Sequence, residues 1–460
     1  MGTRPTEGDV IPLGTATRAW FAISLQTFGG PAGQIAVMQH KLVEEKRWIG
    51  QQRFLHALNY CMLLPGPEAQ QLAIYTGWLL NGARGGLIAG SLFVLPGVLA
   101  LLALSAVYVR FGETDLVDAL FAGIAPAVIA IVVTAVVKVG KRALHHAALV
   151  ALAVAAFVAL TLFAVPFPAV VLGAGVLGWL LGRRIPALRR TGGHGGGGGD
   201  GAGEAPLISD AALHHALPSK RRSASVLGVG LLLWFTPVVA FALLSGVTDT
   251  GVFVDQGLFF SGAAVVTFGG AYAVLAYVAQ QAVGVYGWLA PGEMVRGLAL
   301  AETTPGPLIM VVQFVAFVGA YRDPGSLDPW VAAVLASLLV TWVTFVPCFL
   351  FVLLGAPYVE RLRHNQHLTA ALTGITAAVV GVIANLAVFF ALHNLFDRTR
   401  TLATGPLQLE LPVLSSYDLV AFGITAVALA VMFLRGWSPL RTIGLCAALG
   451  LLVLTLRVLT

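Results

Sequence analysis

Long apolar runs separated by short polar segments make up most of this sequence. Several runs reach the roughly 20 residues that an α-helix needs to cross a bilayer, and none shows the alternation over about ten residues expected of a transmembrane β-barrel. Uninterrupted spans are predicted over residues 86–109, 120–138, 147–165, 169–182, 226–244, 331–354, 369–392, 419–434 and 440–459. The pattern therefore predicts an all-α polytopic membrane protein.

Four other apolar stretches are interrupted at their centres by Gly and Pro. The first half contains Thr27-Phe28-Gly29-Gly30-Pro31 and Leu64-Pro65-Gly66-Pro67. The second half contains Thr267-Phe268-Gly269-Gly270 and Thr304-Pro305-Gly306-Pro307, at a constant offset of 240 positions. Paired glycines lower helix stability and Pro suits the first position of a new helix, so each motif predicts a helix, a break and a second helix.

The repeated motifs predict two related halves, because Trp48 and Trp288 are separated by the same 240 positions. The expected units are an N-terminal repeat over 1–182, a glycine-rich basic linker over 183–225 and a C-terminal repeat over 226–460. The span over 226–244 has no counterpart ahead of the first repeat, so the second repeat would start from the opposite membrane face. This parity predicts an inverted-topology repeat, an architecture common among secondary transporters.

Composition agrees with a membrane location, since the chain is 58% hydrophobic and 10% charged, against about 25% charged in soluble domains. The net charge of +6 comes from Lys and Arg clusters between apolar runs, which favours topology signalling in a lipid bilayer over nucleic-acid binding. The glycine run at 195–199 lacks the Lys-Ser/Thr ending of a phosphate loop. Cys61, Cys348 and Cys446 are widely separated, which disfavours a CxxC metal site. Because the sequence shows neither a nucleophile–base pair nor a metal-ligand cluster, we expect no metal, no cofactor and no enzymatic activity.

The distribution of basic residues predicts the orientation of the chain. If the basic linker is cytoplasmic, the N-terminus lies inside and the C-terminus outside. The broken stretches either cross the membrane or re-enter from one side. The charge rule favours re-entrant hairpins, because they keep the basic segment 39–53 inside.

A helix that starts inside the bilayer has unpaired backbone N–H groups and the positive end of its dipole, which together suit an anion. We expect the four helix starts after Gly30, Gly66, Gly270 and Gly306 to converge, with threonine hydroxyls as further donors. The predicted substrate-binding residues are Thr27, Phe28, Gly29, Gly30, Gln34, Pro65, Gly66, Pro67, Gln71, Thr267, Gly269, Gly270, Thr303, Thr304, Pro305, Gly306 and Pro307. The glutamines are equally interpretable as hydrogen-bonding partners between helices.

Two carboxylates flank the breaks, Glu68 after the first Pro-Gly-Pro and Glu302 before the second. Acids within a membrane are costly when charged, so both are candidates for proton coupling. Glu68 is also a residue type favoured in the first turn of a helix. Lys138 lies near a predicted helix end, where a snorkelling side chain is the preferred interpretation.

These residues resemble the chromate ion transporter family in its long, two-domain form. The resemblance covers nearly the whole chain, and it rests on Phe28-Gly29-Gly30-Pro31, Ile35-Ala36-Val37-Met38, Trp48, Phe54-Leu55, Leu64-Pro65-Gly66-Pro67, Gln71-Leu72-Ala73-Ile74-Tyr75 and Phe93-Val94-Leu95-Pro96-Gly97. It implies a bacterial inner-membrane carrier that expels chromate, is driven by the proton gradient and confers chromate resistance. Chromate is a tetrahedral dianion like sulfate, which makes sulfate an alternative substrate.

Two rival functions remain open from the sequence. The same scaffold could import sulfate or another oxyanion, or the helix starts could line a continuous anion channel. The scattered cysteines disfavour a membrane-embedded reductase. The expected partners are the oxyanion, protons and the lipid bilayer. The sequence is also compatible with a homodimer.

Overall fold

A computed structural model describes residues 10–112, 114–185, 207–209, 213–214, 219–244, 250–268, 270–290, 292–359, 365–405 and 407–459. Two features predicted from the sequence lie outside these residues: Gly269 in the second Phe-Gly-Gly motif, and the glycine run of the linker at 195–199.

The described residues are predominantly helical. The α-helices are α1 (Leu13–Ser24), α2 (Gly30–Gln39), α3 (Gln51–Cys61), α4 (Glu68–Phe111), α5 (Asp115–Ala143), α6 (Ala147–Phe163), α7 (Phe167–Arg184), α8 (Lys220–Leu244), α9 (Gly251–Val266), α10 (Ala271–Gly284), α11 (Glu293–Thr303), α12 (Val311–Arg322), α13 (Pro329–Gly355), α14 (Gln366–Leu395), α15 (Leu419–Leu434) and α16 (Pro439–Leu459). Two strands, β1 (Thr399–Thr404) and β2 (Leu407–Pro412), form an antiparallel hairpin. The all-α membrane class is confirmed.

Six of these helices are long and apolar enough to cross a membrane: α4, α5, α8, α13, α14 and α16. Every uninterrupted span predicted from the sequence lies on a helix to within two residues. The longest helix, α4, contains a kink at Asn81 and Gly82, where the backbone leaves helical geometry. The chain is therefore a multi-pass membrane protein.

A helix ends before each Gly/Pro motif and another begins within or after it. In the first half, α1 ends at Ser24 before α2 begins at Gly30, and α3 ends at Cys61 before α4 begins at Glu68. In the second half, α9 and α10 flank Gly270, whereas α11 is followed by a 3₁₀ turn at Leu308–Met310 and then α12. Helices of 12 to 16 residues, such as α1 and α9, are only about 18–24 Å long, less than the thickness of a hydrocarbon core.

Hydrogen bonds show which helix ends lie together. At one end, which we call the linker end, the amide of Val10 donates to the carbonyl of Leu80 (3.0 Å) and the amide of Leu207 donates to the carbonyl of Arg47 (2.8 Å). At the other, which we call the Glu293 end, Tyr108 and Arg322 both bind the Glu293 carboxylate. Because α5 begins near the Glu293 end, its last residues lie at the linker end.

Close packing of small residues holds the long helices together. An added Cβ at Gly178 would lie 2.6 Å from a backbone oxygen of α14, and one at Gly123 would lie 2.2 Å from a backbone oxygen of α16. Such contacts allow two helix backbones to approach closely, as is common in membranes. These pairs join α5 and α7 of the first half to α16 and α14 of the second.

Two features differ from the prediction. Helix α8 begins at Lys220, inside the predicted linker, because the basic segment 220–222 continues the helix beyond the apolar run. The β1–β2 hairpin was not predicted. It covers the segment between α14 and α15, and its Glu410 carboxylate accepts a hydrogen bond from Thr399 and lies 3.3 Å from His393.

Candidate functional site

Three helix starts converge on one cavity inside the protein. The cavity has a volume of about 280 Å³, and its wall includes Gly29 and Gly30 before α2, Glu68 at the start of α4, and Gly270 before α10. These starts come from both halves of the chain. Their free N–H groups and dipoles give this part of the cavity a positive polarity without a basic side chain.

The glycines at these breaks have backbone conformations that other residues adopt only with strain. Gly29 and Gly30 have φ angles of 80° and 74°, and Gly270 has a φ of 108°. A side chain is disfavoured at positive φ, so glycine allows the chain to reverse and begin a new helix here. Gly29 and Gly30 therefore position the start of α2 at the cavity, and Gly270 positions the start of α10 there.

One face of α5 forms the wall that faces these starts. Thr134, Lys138 and Arg142 are spaced four residues apart and all line the cavity. Residues four apart lie on the same helix face, about 6 Å apart along the axis. Glu68 lines the same cavity as these two cations.

The second Pro-Gly-Pro motif lies elsewhere. The amide of Gly306 donates to the carbonyl of Thr27 at 3.0 Å, and the Nε2 of Gln34 donates to the carbonyl of Gly306 at 2.5 Å. Pro305 packs against Gly97, where an added Cβ would lie 2.5 Å from the Pro305 oxygen. None of Thr303, Thr304, Pro305, Gly306 and Pro307 lines the cavity. The helix start predicted after Gly306 therefore packs against Thr27 and Gln34, on either side of the first Gly-Gly break, and not against the cavity.

The first Pro-Gly-Pro motif makes the reciprocal contact with the second half. The amide of Gly66 donates to the carbonyl of Thr267 at 2.8 Å, and the Nε2 of Gln71 donates to the carbonyl of Pro65 at 2.6 Å. Gln71 and Gln34 thus both bond backbone carbonyls of Pro-Gly-Pro segments. Pro65, Gly66 and Pro67 hold the start of α4 in place, whereas the residue of this segment that reaches the cavity is Glu68.

The predicted threonine donors bond within their own chain segments. The hydroxyl of Thr27 donates to the carbonyl of Ser24 and that of Thr267 to the carbonyl of Ala263. The other two behave alike, with Thr303 donating to Leu300 and Thr304 to Ala301. These hydroxyls satisfy carbonyls at the ends of the preceding helices, so their hydrogens are not aimed at a ligand. Phe28, 37% exposed, is also absent from the cavity wall.

The two carboxylates have different surroundings. Glu68 lines the cavity, together with Lys138 and Arg142. Glu302 is buried, with 3% of its surface exposed, and accepts a hydrogen bond of 2.6 Å from the hydroxyl of Tyr272. Tyr272 is itself a cavity residue, so it connects the cavity wall to Glu302.

Three of the polar cavity residues that the sequence did not predict are Lys138, Arg142 and Tyr272. The sequence favours a snorkelling side chain at a helix end for Lys138, although its four-residue spacing from Arg142 indicates a shared helix face. Tyr272 follows the second Gly-Gly break by two positions, so it belongs to the first turn of a helix that starts at the cavity.

The fold and the cavity define a multi-pass helical membrane protein with an interior site suited to an anion. The sequence profile of the Chromate transporter family matches residues 15–179 and 254–451, one region in each half. The chain belongs to the chromate transporter family, whose members are membrane transporters rather than enzymes.

Individual relatives support this assignment. A "Chromate transport protein" of Pseudomonas aeruginosa is 32% identical over 78% of this chain and 76% of its own length. A "Chromate transport protein" of Cupriavidus metallidurans is 29% identical over 86% of this chain and 87% of its own length. A "Probable chromate transport protein" of Synechococcus elongatus is 26% identical over 83% of this chain and 85% of its own length. No solved structure matches the chain.

Proposed function

We propose that this protein exports chromate from the cytoplasm of a bacterium as a secondary transporter of the inner membrane, and thereby confers chromate resistance. The oxyanion would bind in the cavity between the starts of α2, α4 and α10. The observation that carries the proposal is the convergence of helix starts from both halves on one cavity that also contains Lys138 and Arg142. Helix starts and cations are the groups that bind an oxyanion in a low-dielectric site.

The proposed architecture is an inverted repeat of re-entrant hairpins. In the first half, the hydrogen bonds to Leu80 and Arg47 lie at the linker end, so the chain that leaves this end in α1 comes back to it. In the second half, α11 begins and α12 ends at the Glu293–Arg322 ion pair, at the opposite end. Hairpins that enter from opposite ends are what an inverted repeat requires.

The cavity reaches the end of the protein at which an exporter must load its substrate. Its wall extends to Arg142 and Ala143, the last turn of α5, and to Pro439, the first residue of α16. These residues belong to the linker end, which is the basic end and therefore the cytoplasmic one under the charge rule. The protein in this conformation would load an oxyanion from the cytoplasm. The same rule gives a cytoplasmic N-terminus and an outside C-terminus.

Export is proposed to be coupled to protons that move inward. A proton carried by Glu68 and a proton carried by Glu302 would be coupled to the anion in different ways. An ionised Glu68 would repel a dianion in the same cavity, so a proton released from Glu68 to the cytoplasm would expel the anion to the same side. Glu302 lies outside the cavity wall, so its charge is not in direct contact with a bound anion. Protonation of Glu302 and occupancy of the cavity by the anion can therefore alternate. Exchange is therefore expected through Glu302 and Tyr272, and coupling through Glu68 would move the proton together with the anion.

Labelled chromate uptake into inside-out membrane vesicles tests the proposal. Vesicles with an acidic interior should accumulate chromate with saturation, and a protonophore should abolish the accumulation. Glu302→Gln should remove the dependence on the pH gradient, whereas Glu68→Gln should retain it. Loss of this dependence in Glu68→Gln alone would assign the exchanged proton to Glu68 in place of Glu302. A rate that never saturates and ignores the gradient would identify a channel, and unchanged coupling in both variants would overturn the coupling scheme.

A second candidate, a transporter of sulfate or a similar oxyanion, is favoured by the nature of the cavity. Backbone N–H groups, Lys138 and Arg142 recognise charge and oxygen acceptors, which chromate and sulfate share. Parallel measurements with labelled sulfate in cells separate the two, because an exporter of chromate lowers cellular chromate and an importer of sulfate raises cellular sulfate.

A further inference from the structure

We infer that Lys138 and Arg142 select a doubly charged oxyanion and guide it from the cytoplasmic mouth to the helix starts. This inference rests on the proposed function, which it deepens by assigning charge selectivity to two side chains of α5. Neither residue belongs to a Gly/Pro motif, and the sequence alone favours a snorkelling side chain for Lys138.

The placement of the two cations along α5 suggests a path. Arg142 lies in the last turn of α5, at the cavity mouth, Lys138 lies one turn deeper, and Thr134 lies one turn deeper again. The rise of about 6 Å between successive positions divides the path from Arg142 at the mouth to Thr134 into two short steps. Clefts lined by one sign of charge concentrate the oppositely charged ligand.

The charges of the cavity favour a dianion. Two cations and one carboxylate, Glu68, are the charged side chains of its wall. Lys138 and Arg142 have no hydrogen bond or salt bridge to the described part of the chain, so their donors are available to a ligand. The Coulomb attraction between a cation and a ligand doubles when the ligand charge doubles. Removal of one cation should therefore weaken the binding of a dianion more than the binding of a monoanion of the same shape.

A neighbouring residue provides a matched control. Lys141 has the same side chain as Lys138, and both are exposed near the same end of α5, but Lys141 is not part of the cavity wall. A lysine that serves only to orient the chain by the positive-inside rule should be equivalent at either position. A difference between Lys138→Gln and Lys141→Gln therefore separates ligand recognition from topology signalling.

The experiment uses purified protein in liposomes and measures chromate transport in competition with two tetrahedral anions, sulfate (two charges) and perchlorate (one charge). Sulfate should compete better than perchlorate with the unaltered protein. Lys138→Gln and Arg142→Gln should each raise KM about fivefold and reduce the preference for sulfate by a similar factor, as expected for a partly solvated cation. Lys141→Gln should leave both quantities unchanged, and Lys138→Arg should restore them.

Several outcomes would overturn the inference. Unchanged KM and unchanged sulfate preference in Lys138→Gln and Arg142→Gln, in preparations where the unaltered protein transports chromate, would remove both residues from recognition. An equal effect of Lys141→Gln would assign the effect to the surface charge of the helix end. Absence of chromate transport by the unaltered protein would instead contradict the proposed function. Gel filtration of each variant, with Lys138→Arg as the charge-retaining comparison, separates misfolding from altered recognition.

Discussion

The backbone amide of Gly66, in the first half, donates a hydrogen bond of 2.8 Å to the carbonyl of Thr267, in the second. The reciprocal bond joins the amide of Gly306 to the carbonyl of Thr27 at 3.0 Å. Each Pro-Gly-Pro segment is thus bonded to the residue that precedes the Phe-Gly-Gly motif of the other half. Polar backbone groups freed by a helix break need partners inside a membrane, and here each half supplies them for the other.

Substitution of Gly66 should test the importance of this contact. Gly66 has a φ of 120°, and an added Cβ would lie 2.9 Å from the Sγ of Cys348 and 2.9 Å from the Nε2 of Gln71. We expect Gly66→Ala to destabilise the protein by about 2–3 kcal/mol, because backbone strain and crowding add. Gly306→Ala, where the nearest atom lies 3.6 Å away, should cost only the strain, about 1 kcal/mol.

Thermal unfolding of the detergent-solubilised variants measures this prediction. Gly262→Ala is the control, because Gly262 is an exposed residue of α9 with nothing within 4 Å of its added Cβ. It should leave the Tm unchanged or raise it slightly. A Tm for Gly66→Ala equal to that of Gly262→Ala would show that the break does not depend on glycine.

Removal of the Tyr272 hydroxyl should affect Glu302. Tyr272→Phe keeps the ring but deletes the donor that bonds the buried Glu302 carboxyl at 2.6 Å. Loss of a partner for a buried polar group costs about 1–3 kcal/mol. Proton-driven chromate uptake should therefore fall about tenfold at equal protein level.

The control for that variant lies on the same helix. Tyr277 contacts Phe167 and Phe259 through its ring, so Tyr277→Phe should retain uptake. The pH dependence of uptake is the decisive quantity, since a general packing defect would lower the rate at every pH. An unaltered pH profile in Tyr272→Phe would separate the tyrosine from proton coupling.

The ion pair at the Glu293 end should contribute to stability. Arg322 donates two hydrogen bonds to the Glu293 carboxylate, at 2.6 and 2.8 Å, and Tyr108 donates a third at 2.8 Å. The Glu293 side chain is 10% exposed and the Arg322 side chain 47% exposed. Arg322→Gln should therefore lower the free energy of unfolding by about 1–2 kcal/mol, less than for a fully buried pair.

A lysine substitution separates charge from geometry at this pair. Arg322→Lys keeps the charge but loses the fork that binds both carboxylate oxygens, so its Tm should fall between those of the unaltered protein and Arg322→Gln. Equal Tm values for all three proteins would show that the ion pair is energetically neutral.

Much of the fold could be predicted from the sequence because apolar periodicity and helix breakers act locally. Each uninterrupted span fell on a helix, and helices stop and restart around each Gly/Pro motif. The β1–β2 hairpin was missed because it lies in the segment between two apolar runs, where the hydropathy pattern carries no signal. The extension of α8 to Lys220 was missed because basic residues at a helix start look like a linker in sequence.

The cavity was less predictable, because motif spacing does not show which side of a break faces a ligand. Gly306 shares its motif with Gly66, yet its segment packs against Thr27 and Gln34. The hydroxyl of Thr267 donates to the carbonyl of Ala263 in the last turn of α9, and motif spacing does not predict this partner. The recruitment of Lys138 and Arg142 depends on the rotation of α5 about its axis, which tertiary packing decides.

The central claim is that an oxyanion binds among the starts of α2, α4 and α10. Anomalous scattering from chromium in crystals equilibrated with chromate would locate the ion directly. The strongest peak is expected inside the cavity, between the Gly30 and Gly270 breaks and the α5 face that carries Lys138 and Arg142. A strongest peak elsewhere, or an empty cavity in crystals of protein that transports chromate, would contradict the account.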